Sequence, residues 1–333
     1  MLEYLDTELG KFGIGQVGST HEEADVLTRF RDHQSSQLRA LGRPGSIAPA
    51  RSFDAGIIGL AESTRLDDDF ASRYGPWALV AGASEGIGEA FSQELAGRGL
   101  NLLLVARRVE PLERLADEIR DRHGIEVRSV SLDLASPDLA ARGTALCDEF
   151  EVGLLVYNAA HAEIGEFLAT SIESKLRTVD VNCRGPLVLA SVFGERMVQR
   201  GRGGLVLLSS LAGFQGSALV TAYAASKAFD TVLAEGLWAE FAPHGVDVLA
   251  MVAGATSTPN FLSQTPENKR SSAFPMEPAA VAREALATLG RGPIRVAGRT
   301  NKLVNFVMSR LLSRRRAVSF MSRMTRRLYR GDG

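Results

Sequence analysis

The sequence predicts an α/β fold: a single doubly wound parallel sheet of about seven strands with helices on both faces. Three observations carry this. From Trp77 onward, short apolar runs alternate with longer helical patterns, the mark of βαβ units. The first run leads straight into a glycine-rich turn that opens a helix. The chain has 333 residues, 45% of them hydrophobic, which is ample for a sizeable core.

In chain order, the strand at 77–81 (Trp-Ala-Leu-Val-Ala) feeds the glycine turn and a helix over 87–99. A second strand at 101–106 precedes a helix over 109–122, and a third at 125–131 precedes one over 136–150. The fourth, at 152–157, is followed by helical stretches at 170–183 and 186–200. Strands at 204–209, 246–252 and 293–297 complete the sheet, separated by helices over 221–241 and 278–290. Residues 256–277 are long and mixed in polarity, which suits a mobile loop covering a substrate. Phe261, Leu262, Phe274 and Met276 in it can line an apolar pocket or pack the loop onto the domain.

The net charge of −1 gives no reason to expect nucleic acid, but the ends are asymmetric. Residues 1–73 carry twelve acids against eight bases, and residues 299–333 carry ten bases and one acid. We read 1–72 as an N-terminal extension with a helix at 20–40 that Thr20 and Glu23 would cap, 73–298 as the dinucleotide-binding and catalytic domain, and 299–333 as a basic helical tail. In the tail, helical periodicity gathers Ala317, Met321, Met324 and Leu328 on one face and Arg316, Arg323, Arg327 and Arg330 on another. Such a helix can lie in an anionic membrane interface, or pack on its own domain or a second subunit.

The two cysteines, Cys147 and Cys183, are read as reduced and buried, and the five histidines lack ligand spacing, so no metal is proposed. The acidic N-terminus does not read as a secretory signal, and no run of about 18 apolar residues occurs. Cytoplasmic residence is the default expectation.

The chemistry-bearing residues form an ordered set. Gly82, Gly86 and Gly88 let the backbone of Gly82-Ala-Ser84-Glu-Gly86-Ile87-Gly88 approach a pyrophosphate at a helix N-terminus. After the second strand stand Arg107 and Arg108, where selectivity for NAD would place an acid; a guanidinium there suits a 2′-phosphate and favours NADP(H) over NAD(H), Arg107 the nearer contact. Asp133 is placed to meet an adenine edge, or equally to cap the helix near Pro137. Tyr223 and Lys227 are four apart, so a helix stacks them on one face and the ammonium can lower the phenol's pKa, making it a usable proton donor and acceptor.

With Asn158-Ala159-Ala160, Asn182 and Ser209-Ser210 added in order, residues from about 73 to 298 resemble the short-chain dehydrogenase/reductase family. The resemblance implies a Rossmann-like domain, a nicotinamide cofactor and a homo-oligomer. By position it makes Tyr223 the general acid for a substrate carbonyl and Ser210, thirteen residues upstream, the group that steadies its oxygen. Lys227 would hold the nicotinamide ribose, Asn182 a helix kink and a proton-relay water, and Thr258 the carboxamide side. Ser84, Ile87 and Asn158 join the cofactor set. Two departures stand out: Ala160 replaces the family's glycine, and Ala253-Gly254 its Pro-Gly. The expected activity is interconversion of a carbonyl and a secondary alcohol on a hydrophobic acyl, steroid or lipid-like substrate. The competing reading is a non-catalytic NADP(H)-binding sensor or scaffold that docks a membrane or protein partner.

Overall fold

The structure, a computed structural model, describes residues 69–329. The N-terminal extension up to residue 68, with the helix expected at 20–40, lies outside the described residues, as does Arg330.

Seven strands form one parallel sheet: β1 (Trp77–Ala81), β2 (Asn101–Ala106), β3 (Val127–Ser131), β4 (Val152–Tyr157), β5 (Gly203–Ser210), β6 (Val246–Ala253) and β7 (Ile294–Val296), in the order β3-β2-β1-β4-β5-β6-β7. The central strands are apolar throughout because helices cover both faces, so every residue is buried on one side or the other. Alternate residues divide between two cores. Ala78, Val80, Leu102, Leu104, Leu154 and Val156 face one; Leu79, Ala81, Leu103, Val105, Leu155 and Tyr157 face the other.

The helices are α1 (Gly86–Ala96), α2 (Val109–His123), α3 (Leu139–Glu149), α4 (Ile172–Val179), α5 (Gly185–Arg200), α6 (Thr221–Phe241), α7 (Pro259–Gln264), α8 (Glu267–Arg270), α9 (Pro278–Thr288), α10 (Arg299–Phe306) and α11 (Arg314–Tyr329). A short helix at 69–74 precedes β1. It carries Phe70 and Tyr74 into the first core, ahead of the boundary expected at 73.

Three expectations are corrected. The helices expected at 170–183 and 186–200 are joined by a π-turn, Asp180–Arg184, rather than a break. A π-turn frees a backbone carbonyl; here the Tyr157 hydroxyl donates to Val181 O. The stretch at 256–277, for which no helix was expected, contains α7, α8 and a 3-10 turn, Ser271–Ala273. Pro259 at the first helical position and the Thr258 hydroxyl, accepting from Phe261 N at 3.2 Å, explain the start of α7. Within it Met276 packs against the core, whereas Phe274 and Leu262 are exposed. Finally, α3 begins at Leu139, and Asp133 does not cap it.

The order reverses between β1 and β4, whose neighbours lie on opposite sides. Ligands of open α/β sheets bind at the carboxyl ends of strands at such a reversal.

Candidate active site

The turn after β1 is built by exclusion. Gly82 (φ 82°) and Gly86 (φ 63°) occupy the left-handed region that side chains disfavour. A Cβ on Gly82 would come within 2.7 Å of the Ala159 backbone, and one on Gly88 within 2.0 Å of Gly82 O. Asn158 Nδ2 donates to Gly82 O at 2.9 Å and Asn158 N to Ala81 O at 3.0 Å, tying the end of β4 to the turn. Ile87 packs on the core, and Gly86 abuts Thr258, whose Cγ2 lies 2.9 Å from where a Cβ would stand. The bare backbone of the turn, opening onto the N-terminus of α1, is a cradle that fits a dinucleotide's phosphates.

The two arginines after β2 separate. Arg108 reaches back to the turn, donating to Glu85 Oε2 at 2.5 Å and to Ser84 Oγ at 3.4 Å. Arg107 is exposed and forms no ion pair among the described residues. Asp133 accepts from Ala135 N at 3.0 Å and from Arg177 Nη2 at 2.9 and 3.0 Å. Burial works to raise its pKa, but these donors outweigh it and the net shift is downward. Arg177 carried no sequence signal, because its partner lies 44 residues away.

On the other side of the reversal, β5 and the start of α6 are stitched together. Ser209 Oγ donates to Lys227 O at 2.7 Å, and Lys227 Nζ to Leu208 O at 2.6 Å. Ser209 is thus committed to the helix. Ser210 points the other way along the strand, accepting from Ala212 N at 3.2 Å. Lys227 Nζ lies 5.9 Å from the centre of the Tyr223 ring. Asn182, fully buried in the π-turn, accepts from His161 N at 2.7 Å and donates to His161 O and Ser226 Oγ, both at 2.9 Å. Ser226 Oγ in turn donates to Tyr223 O at 2.8 Å, so the kink is wired to the backbone of the tyrosine. His161 is occupied as well, its Nε2 3.1 Å from Ser174 Oγ.

Two further residues were not anticipated. Asp230 lies one turn beyond Lys227, with Oδ2 2.9 Å from Nζ, and both side chains are shut from solvent, 3% and 2% exposed. Desolvation disfavours the Lys227 cation, yet Asp230 and then Tyr223 reverse the effect and its pKa is raised. Asp230 Oδ1 accepts no hydrogen bond. The available signal was an acid at i+3 on a helix otherwise small and apolar there.

The second is Tyr329, at the end of α11. That helix is laid along the segment between Ser210 and Tyr223: Thr325 Oγ1 is 2.7 Å from Ser217 Oγ, Ala218 N donates to Ser322 Oγ at 3.0 Å, and Arg314 donates to Phe214 O. Its buried seam is Ala317, Phe320 and Thr325, with Met321, Met324 and Leu328 half-buried. The tail's inner face therefore packs on its own domain. Burial, and then the nearby Tyr223 phenol, raise the pKa of Tyr329. A recess beside Tyr223 is lined by Glu163, Phe167, Ser174 and Leu219.

Comparison with known proteins agrees with this architecture. The short chain dehydrogenase family matches residues 76–269. A 7beta-hydroxysteroid dehydrogenase of Clostridium sardiniense is 33% identical over 234 residues, 70% of this chain and 90% of that protein. A structure solved for the study of 7beta-hydroxysteroid dehydrogenase stereoselectivity is 29% identical with a TM-score of 0.72, covering 76% of this chain and 98% of that one. A short-chain dehydrogenase from Sphingobium yanoikuyae in complex with NADPH is 33% identical with a TM-score of 0.60, covering 67% and 87%. The chain belongs to the short-chain dehydrogenase family, and is an NAD(P)-dependent oxidoreductase of alcohol and carbonyl groups.

Proposed function

We propose that the enzyme uses NADP(H) to interconvert a ketone and a secondary alcohol on a bulky hydrophobic substrate of steroid or acyl type. The observation that carries this is the Tyr223–Lys227 pair, with Tyr223 lining the recess and Lys227 buried beside its ring and paired with Asp230. A bound nicotinamide dinucleotide would supply or accept the hydride. Tyr223 then gives its proton to the carbonyl oxygen in reduction, or takes it from the alcohol in oxidation. The ammonium of Lys227 stands 5.9 Å from the centre of the ring that exchanges this proton. Ser210 steadies the substrate oxygen, and Asn182 keeps the π-turn open beside Ser226. Gly82, Ser84, Gly86, Ile87, Gly88, Asn158 and Thr258 form the cradle, and Asp133, braced by Arg177, borders the adenine end.

For the cofactor, Arg107 is the group that would meet a 2′-phosphate, because Arg108 is engaged by Glu85. The NADPH complex of a relative supports the same reading. For the substrate, the likeness to hydroxysteroid dehydrogenases favours a rigid, apolar alcohol. Leu219 then bounds the pocket from the loop, and Tyr329 of the tail stands near Tyr223. Family membership and the exposed apolar side chains Val179, Leu187, Val232 and Trp238 support a homo-oligomer.

A panel of hydroxysteroids and 3-oxoacyl thioesters, followed by nicotinamide absorbance, tests the assignment. Tyr223→Phe should lose roughly 10²- to 10⁴-fold in kcat, the usual worth of a positioned acid or base, while still binding cofactor. Unchanged turnover would overturn the mechanism. Arg107→Ala should raise KM for NADPH by roughly 10- to 100-fold, the loss of one charge-assisted contact, and leave KM for NADH nearly unmoved. Equal effects on both cofactors would remove the 2′-phosphate role.

A further inference from the structure

Seven of the tail's cations fall into two groups. Three hold it to the body: Lys302 donates to Glu284 at 2.6 Å, Arg314 to Phe214 O, and Arg326 lies 4.0 Å from Glu166. Arg299, Arg310, Arg315 and Arg316 are exposed and form no ion pair among the described residues. Residues 299–329 contain nine bases and no acid, so nothing within the segment offsets them.

These arginines alternate with apolar side chains that are also unburied: Leu303 is 40% exposed, Phe306 55% and Leu311 65%. On a helix, positions i, i+4, i+7 and i+11 share one face. Arg299, Leu303 and Phe306 have the first three of these spacings on α10, and a π-turn, Val307–Leu311, follows and carries the exposed Arg310. Met308, on the other side, is buried. The apolar exposure continues into the neighbouring segment. Met276 meets α10 through Asn301 Nδ2 at 3.3 Å, and Phe274, two residues before it, is 55% exposed.

We propose that this face of α10, with Arg310, Leu311 and the exposed Arg315 and Arg316 at the start of α11, docks on an anionic lipid surface. Apolar groups entering the acyl boundary between arginines among the headgroups is the arrangement an interfacial helix needs. Nucleic acid fits less well, since two aliphatic side chains between the arginines would neither pair with phosphate nor stack on bases. The sequence left the apolar face of 314–329 to a membrane, to its own domain or to a second subunit; in the fold α11 packs on its own domain, with Ser322 and Thr325 bonded to residues 217–218, and α10 is left outward.

The test is co-sedimentation of the full chain with vesicles of neutral phosphatidylcholine and with vesicles containing phosphatidylglycerol. Binding to the anionic vesicles, weakened roughly fivefold for each arginine among Arg299, Arg310, Arg315 and Arg316 changed to Gln, is the expected result. Leu303→Glu with Phe306→Glu should reduce binding at least tenfold with the far-UV spectrum of the folded chain retained, because about half of each side chain already faces water. Failure of the wild-type chain to bind anionic vesicles overturns the proposal. So does undiminished binding by the Leu303/Phe306 variant, or retention of single-stranded RNA but not vesicles at the same salt. None of these readouts depends on turnover, so they stand apart from the fate of the proposed reaction.

Discussion

Lys227 sits where two helical spacings meet. The i+4 relation to Tyr223 was legible in the sequence; the i+3 relation to Asp230 gained meaning only once both side chains were buried. An ammonium that loses its counter-charge in such a place is driven toward the neutral amine. Asp230→Asn keeps the shape and removes the charge. Lys227's raised pKa means that its contribution to stability is full below its ordinary value of 10.5 and is lost as pH rises through the higher folded value. In Asp230→Asn that loss should begin at lower pH and overall stability should fall, with roughly 3–5 kcal/mol as the upper bound for breaking a buried pair. The alkaline limb of turnover should move the same way. Superimposable pH profiles for wild type and variant would show that Asp230 does not hold the charge on Lys227.

Among elements, the glycine turn was the most legible, because its requirements are local: two positive φ angles and a Cβ that would meet Gly82 O. Strand positions were readable for a similar reason, a buried parallel strand being apolar at every position. Boundaries slipped where tertiary contacts decided them. The π-turn exists because Tyr157 reaches Val181 O from a neighbouring strand, and no pattern within 170–200 announces that. The attachment of α10 is likewise tertiary: Glu284 on α9 accepts from Arg295 at 2.8 Å, Gly298 N at 2.8 Å and Lys302 at 2.6 Å. Burial opposes ionisation of Glu284, but these donors prevail and hold its pKa below the ordinary 4.5. A depressed carboxylate stabilises above its unfolded pKa, and that support is lost as pH falls through the folded value. Hydrogen exchange should therefore show α10 amides losing protection below about pH 4.5 before the sheet does. Glu284→Gln should show the loosening already at neutral pH. Concerted loss of α10 and the sheet would count against the clamp.

For the whole molecule, the sheet places the glycine turn after β1 and the Tyr223–Lys227 pair of α6 on either side of the β1/β4 reversal, and α11 packs beside them from more than 100 residues away in sequence. The exposed apolar side chains of α4, α5 and α6 belong to the same scale, since a second copy would cover them. Light scattering on the purified chain should give a multiple of 35.7 kDa, and Val232→Glu should lower it. A wild-type monomer would remove the homo-oligomer from the reading. Among the described residues no helix is long and apolar enough to cross a membrane.

By itself, the sequence determined the parallel α/β sheet and the glycine turn and put Ser210, Tyr223 and Lys227 forward as candidates, because each depends on spacing within a strand, a turn or one helix face. Tertiary structure alone decided that Arg177 takes Asp133, that Asp230 sits under Lys227, and that α11 packs on its own domain while α10 faces outward. The physical reason is common to all three. A charge or an apolar face is satisfied by whatever packing brings within a few ångströms, and for partners distant in sequence or buried together the fold, rather than local periodicity, makes that choice.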